Sequence, residues 1–403
     1  MDKAAFYADA RHDLPGPLAG VTVLEATTTW AGPMAGCVLA DLGASVVKIE
    51  HPDGEIMRRV PPFVPDTRLS VMHEVVNRNK RNISLSLKDP EGRDVFLALC
   101  ATADIVIENF KPGTLADWGC GYADVKAVKP DVIYVSISGF GQFGPYCDRP
   151  GYDPIAQNFT GWSSLNGEPG GAPVKAPTFL GDDLGGLHGA LGALAALTHR
   201  NLTGEGQHVD VALVDGLVFQ SNGHLTIGAL GLPQERWGNQ FALAAPVNSY
   251  VCTDGRVYTG VLLDSHWRAF CRHIGRADLA DLDGLARIRR RDELDHLLAQ
   301  WCVSRSTQDV VDTMNMLGLA VTRVNSFAEA ARDPHLQARD MLQPTPLGNG
   351  GTIPLTGPAA KFSRTPTRVR SAAPALGEHT DALLAQLGYS PAQIADLRDR
   401  HII

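Results

Sequence analysis

The run Val21-Thr22-Val23-Leu24, the loop from Ala26 to Pro33, the small-residue segment Met34 to Leu42 and then Val46-Val47-Lys48-Ile49-Glu50 decide the fold. The outer two are short apolar runs of strand type. The segment between them has helical character and stops at Gly43, the residue that most readily takes the left-handed turn after a helix. Strand, helix and strand so arranged form a βαβ unit of the Rossmann kind. The dinucleotide fingerprint is poor, because Gly32-x-x-x-Gly36 is not Gly-x-Gly-x-x-Gly, although Glu50 stands where a ribose-binding acid would. That argues against a redox dinucleotide. A loop and helix N-terminus of this kind can still hold a nucleotide-like phosphate.

The alternation continues outward. Ile83 to Lys88 is an alternating strand, Pro90 to Cys100 a helix, and Asp104-Ile105-Val106-Ile107-Glu108 a buried strand. Asn109-Phe110-Lys111-Pro112-Gly113 follows at that strand's C-terminal end, where open α/β sheets bind ligands. Ile133 to Ser138 and His208 to Leu213 read as further strands, and Val214 to Ile227 as a helix. The fold class is therefore α/β. The texture changes near Gly231-Leu232-Pro233. From Val247 to Gly260 the pattern is a hairpin turning at Asp254-Gly255, followed by helical segments through Trp301. The expected division is a large Rossmann-like domain over 1–224, a small α+β domain over 225–325 and a C-terminal segment over 326–403. That segment carries Pro- and Gly-rich stretches and then two helices.

Composition limits the function classes. The chain has 403 residues, 44% hydrophobic and 20% charged, so it can bury a sizeable core. A net charge of −8 speaks against general nucleic-acid binding. Seven cysteines without a Cys-x-x-Cys pair imply reduced thiols, a cytoplasmic location and no zinc site. No signal-peptide pattern is visible at Met1 to Phe6, and the longest apolar run, Leu187 to Leu197, is too short for a bilayer.

Chemistry concentrates at Gly181-Asp182-Asp183-Leu184-Gly185-Gly186-Leu187-His188. Two acids open a Gly/Ala/Leu run with the composition of a buried helix. A carboxylate there benefits from the positive end of the helix dipole, which favours the ionised, nucleophilic form. Glycines behind it let a substrate approach the backbone. The plainer alternative is that one acid caps the helix, and composition alone favours that.

Taken in order, several stretches resemble the class III CoA-transferase family, which includes formyl-CoA, carnitine and benzylsuccinate CoA-transferases and has α-methylacyl-CoA racemase as a relative. They are Pro17 to Val21, Ala31-Gly32-Pro33, Leu42-Gly43-Ala44 with Val47 to Glu50, Asn79-Lys80-Arg81, and Glu108 to Gly113. Further on stand Ser138 to Gly141, Gly144-Pro145, Arg149 to Asp153, the acid stretch, Thr203 to Gln207, Asp333-Pro334 and Leu376 to Thr380. The resemblance implies a Rossmann-like large domain completed by the C-terminal segment, a smaller domain, and two interlocked protomers, as a homodimer or as a heterodimer with a homologous subunit. It implies CoA transfer between a small-molecule acyl-CoA, for which succinyl-CoA is the guess, and a carboxylic acid. No metal, redox cofactor, nucleic acid or membrane is involved.

The same resemblance assigns residues. Asp182, four residues before Gly186, takes the place of the nucleophile, with Asp183 as neighbour or cap. Thr29, Trp30 and Ala31 match the loop along the pantetheine, and His51 stands where formyl-CoA transferase has an arginine for the nucleotide phosphates. Leu85 and Lys88 match adenine and phosphate contacts, Asn109, Phe110 and Lys111 the strand-end loop, and Tyr152 a residue near the thioester. Backbone N–H groups near Gly185 and Gly186 would hold oxyanions.

Three departures from the formyl-CoA transferase pattern stand out: Trp30 replaces a glutamine, Asp117 an arginine, and the tetraglycine loop is missing near Gly238-Asn239-Gln240. Formyl or oxalate specificity is thus unsupported. Racemases place a histidine directly before an aspartate where this chain has Tyr152-Asp153, and a neutral phenol is a poor proton acceptor at pH 7. Racemase and a catalytically silent CoA-binding subunit are the alternatives to transfer.

Overall fold

The computed structural model describes residues 2–348 and 350–403. Six strands form one wholly parallel sheet: β1 (Thr22–Ala26), β2 (Ser45–Glu50), β3 (Arg81–Ser84), β4 (Ile105–Glu108), β5 (Ile133–Ser138) and β6 (His208–Ala212), in the order β3-β2-β1-β4-β5-β6. This is the doubly wound order that turns outward in both directions from β1. Alternation along each strand splits the core into two layers. Leu24, Val47, Val106 and Tyr134 lie in register on one face. The helices Pro90–Cys100, Thr380–Gln386 and Pro391–Asp399 contribute Phe96, Leu384 and Leu397 to that layer. Val23, Val46, Ile105 and Ile133 point the other way, toward the helices Ala31–Asp41, Leu180–Thr203 and Leu213–Phe219. Both faces are therefore covered, and the central strands β1, β4 and β5 read as largely apolar runs.

The chain forms two compact units. The first comprises 1–162, 175–226 and 335–403; the second comprises 163–174 and 227–334. The second has its own antiparallel sheet, β7 (Val247–Cys252), β8 (Gly255–Gly260) and β9 (Ala320–Arg323), and a core of Trp267, Phe270, Leu294, Leu298 and Met314. The short segment 163–174 joins this unit through Arg236, whose guanidinium donates to Ser164 O at 3.0 Å and to Gly171 O. A hairpin of β10 (Leu342–Pro346) and β11 (Thr352–Thr356) follows in the first unit, inside the stretch whose prolines and glycines read only as irregular chain. Among the described residues no helix is long and apolar enough to cross a membrane.

Candidate active site

Glycines bring the two helices that frame the acids unusually close together. A Cβ at Gly186 would stand 2.7 Å from Met34 Cβ and 2.8 Å from Ala31 O, and one at Gly185 would stand 2.4 Å from Leu213 Cδ2. Without side chains there, the start of Leu180–Thr203 lies directly against the start of Ala31–Asp41. The helix begins at Leu180 with Phe179 as its N-cap, and Phe179 gives no side-chain cap. Asp182 and Asp183 sit inside the first turn, and Asp183 N–H already bonds Phe179 O at 2.8 Å. Neither acid caps the helix. That role falls to Asp153, whose Oδ1 accepts the Gly181 N–H at 2.7 Å.

Asp153 is itself held from two directions. It opens the helix Asp153–Phe159, where Gln157 Nε2 donates to both carboxylate oxygens at 2.9 Å. Gln157 Oε1 in turn accepts Ala176 N–H at 2.8 Å, tying down the chain that leads to the acids. Asp183 Oδ1 accepts the Trp30 indole N–H at 2.7 Å, and the Trp30 ring meets Phe179 edge-on at 5.1 Å. Among the described residues the Asp182 carboxylate accepts no hydrogen bond. Burial, with Asp153 and Asp183 beside it, pushes its pKa up to about 7. Burial also raises Asp183, against the Trp30 hydrogen bond that favours its charge. The helix dipole does not win here: desolvation and two neighbouring acids outweigh it, so the expectation of a readily ionised Asp182 is corrected. An unbonded carboxylate whose pKa burial and neighbouring acids push up to about 7 is equipped for covalent chemistry.

The loop facing it is pinned from below. Asn109 Oδ1 accepts Thr28 N–H at 2.9 Å while its Nδ2 donates to Thr28 O at 2.8 Å. Thr29, in the left-handed region at φ 65°, donates its N–H to Glu55 at 2.9 Å. Glu55 belongs to a buried ionic group. Lys48 Nζ lies 3.2 Å from Glu55 and 3.4 Å from Glu25, and Lys80 Nζ lies 2.7 Å from Glu25 and donates to Pro33 O at 2.8 Å. Burial opposes the charge on both lysines. The three glutamates near Lys48 keep its pKa raised, whereas that of Lys80 is lowered despite Glu25. Glu50, Glu55 and His73 come close enough to suit a metal ion, but Lys48 lies against Glu55 and the Arg58 guanidinium holds both oxygens of Glu50 at 2.6 and 2.9 Å.

Comparison with known proteins adds the decisive observation: the sequence model of CoA-transferase family III matches residues 18–380. The chain belongs to that family. The succinate–glutarate CoA-transferase of Agrobacterium fabrum is 35% identical, covering 93% of this chain and 97% of the relative. The succinyl-CoA–L-malate CoA-transferase beta subunit of Chloroflexus aurantiacus is also 35% identical, covering 96% and 98%. The crystal structure of a CAIB/BAIF family protein from Brucella suis superposes with a TM-score of 0.83 at 33% identity, over 93% of this chain and 100% of that one. The protein is an enzyme, a CoA-transferase.

Within this transferase the expected site residues fall into groups. Trp30 bonds Asp183 and the Ala31 carbonyl lies against Gly186, and Thr29 continues their loop with Asn109 fastened to its neighbour Thr28. Phe110, Trp118 and Lys88 form a second group: the two rings meet edge-on at 5.5 Å and Lys88 Nζ lies 5.4 Å over Trp118. His51 lies apart, with Asp53 and His401. Lys111 is exposed, and Tyr152, the residue before the helix Asp153–Phe159, is 61% exposed.

Three further expectations need correction. The Leu85 side chain is only 1% exposed, in the core among Ile83 and Val95, and has no surface to offer adenine. Gly185 and Gly186 lie inside the helix, where i→i−4 bonds use their N–H groups, so they cannot serve as oxyanion donors. Their small size serves packing instead. Glu50, placed for a ribose, is occupied by Arg58 and Asn82; although burial opposes its charge, Arg58, Lys48 and the Glu55 N–H hold its pKa down to about 2. Sequence reasoning missed Asp153 as a structural anchor. The available signal was Gln157 one helical turn later on the same face.

Proposed function

We propose that this transferase moves CoA from succinyl-CoA to a second carboxylic acid, with Asp182 as the covalent carrier. The observation that carries this reading is the Asp182 carboxylate itself, unbonded in the first helical turn and partly buried beside two other acids, with a pKa pushed up to about 7. Ionised Asp182 attacks the thioester carbonyl carbon and expels CoA thiolate, leaving an anhydride between the donor acid and Asp182. The thiolate attacks Cγ of Asp182, forming an aspartyl-CoA thioester and releasing the donor carboxylate. The acceptor carboxylate attacks that Cγ and expels the thiolate again. Attack of the thiolate on the acceptor carbonyl then yields the new thioester and frees Asp182. Each step exchanges one activated acyl bond for another, so no metal or redox cofactor is called upon. Water must be kept away from both intermediates.

The relatives named for succinate and succinyl-CoA support the donor. Thr29, Trp30 and Ala31 line the pantetheine, Asn109 and Phe110 the adjoining loop, and His51, Lys88 and Lys111 the nucleotide phosphates. Tyr152 stands near the thioester. The same reading includes a cytoplasmic enzyme whose large domain is completed by its C-terminal segment, paired in an interlocked dimer. A relative named as a beta subunit supports a heteromeric form as well as a homodimer. An assay of thioester exchange between succinyl-CoA and a panel of dicarboxylic acids tests the proposal. Transfer to at least one acid, abolished by Asp182→Ala, is the expected result; activity unchanged in that variant contradicts it.

A further inference from the structure

A small charged cluster lies where β2 ends, away from the two acids. The Asp53 carboxylate stands between two imidazoles: one oxygen is 3.4 Å from His51 Nδ1 and the other 3.2 Å from His401 Nε2. The rings are edge-on with centres 6.4 Å apart. The Asp53 N–H also lies 3.2 Å from His51 Nδ1. All three side chains are open to solvent, at 49%, 69% and 66%.

His401 is not a chance visitor. Ile402 O accepts the Ser86 N–H at 2.8 Å, just beyond β3, and Ile402 and Ile403 are buried in the core. The histidine takes φ 58°, a left-handed conformation that few residues adopt without cost. The molecule thus fixes a histidine from the end of the chain beside one that follows β2, at the C-terminal edge of a parallel sheet, with an anion held between them.

We propose that His401 is a ligand of the 3′-phosphate of CoA, sharing it with His51, and that the Asp53 carboxylate occupies the phosphate position in the free enzyme. This rests on the CoA-transferase reading above. A phosphate brings more negative charge and more acceptor oxygens than a carboxylate, so it outcompetes Asp53 for the two imidazoles. Asp53 then faces the phosphate as a like charge and opposes binding.

Calorimetric titration of the full chain with CoA and with 3′-dephospho-CoA tests this, and separates the 3′-phosphate from the diphosphate that both ligands share. The wild type is expected to bind CoA about tenfold more tightly than 3′-dephospho-CoA, the loss of one charge-assisted contact. His401→Asn, a residue that tolerates the left-handed backbone, removes that preference and leaves 3′-dephospho-CoA binding as it was. Asp53→Asn tightens CoA several-fold and 3′-dephospho-CoA not at all. An intact preference in His401→Asn, or equal weakening of both ligands, overturns the proposal. Failure of the wild type to bind either ligand overturns the CoA reading beneath it.

Discussion

Trp30 donates its indole N–H to Asp183 at 2.7 Å, joining the loop after β1 to the first turn of the long helix one residue from Asp182. The bond is made to an acid whose pKa burial raises. It also fixes the indole where formyl-CoA transferase places a glutamine.

Trp30→Phe keeps the ring against Phe179 and removes only the donor. A hydrogen bond to a charged group contributes about 1.5–3 kcal/mol, so urea unfolding at pH 8 should show a loss of that order. At pH 4, where Asp183 is protonated in larger part, the loss should be smaller. Equal losses at both pH values count against an ionised Asp183.

Asp182 is more acidic in an unfolded chain than in the fold, where its pKa is about 7. Protonation therefore favours the folded state. Its destabilising effect is absent below about pH 4, grows between there and about pH 7, and is complete above. Asp182→Asn should stabilise the protein at pH 8, by about 1–3 kcal/mol, and leave it unchanged near pH 3.5. Thermal unfolding at the two pH values reads this directly.

The proposed nucleophilic attack needs ionised Asp182, so kcat/KM should rise with pH through about 7. Asp153→Asn retains an oxygen to accept the Gly181 N–H but removes one of the charges that raise Asp182. The acidic limb of the profile should then move down by about one unit. A limb that stays in place would separate it from Asp182.

Gly186→Ala tests the packing. Its Cβ would press on Met34 and on the carbonyl oxygen of Ala31, which cannot rotate away. A destabilisation of about 1–3 kcal/mol and a fall in kcat are expected. Gly204→Ala makes a useful contrast: that glycine lies in open space but at φ 79°, so its cost should be backbone strain alone, with the chemistry spared.

Most strands were legible from their apolar runs, and Ile133–Ser138 and the hairpin turning at Asp254-Gly255 lie where the pattern put them. The strand expected over Ile83 to Lys88 is instead Arg81–Ser84, its start hidden by the polar pair Arg81-Asn82. Asp182 was singled out by its distance from Gly186, but the glycines' purpose was not legible, since close helix packing leaves the same sequence trace as close ligand approach. The start of the helix at Leu180 was also hidden, because its cap comes from Asp153, a residue distant in the chain. The burial of Lys48, inside a strand, and of Lys80, in a basic cluster, was not legible. Their burial depends on Glu25 and Glu55, and on Gly36, where any Cβ would collide with Glu25. Partners so far apart in sequence leave no local pattern.

The central claim is that Asp182 carries CoA as a covalent thioester. The most direct measurement mixes the enzyme with succinyl-CoA, traps the acyl-enzyme with hydroxylamine or borohydride, and locates the modification by peptide mass spectrometry. Modification of Asp182, dependent on the thioester and absent in Asp182→Ala, is the result expected. Modification of Asp183 instead, or an unmodified peptide from an enzyme that is turning over, would contradict it.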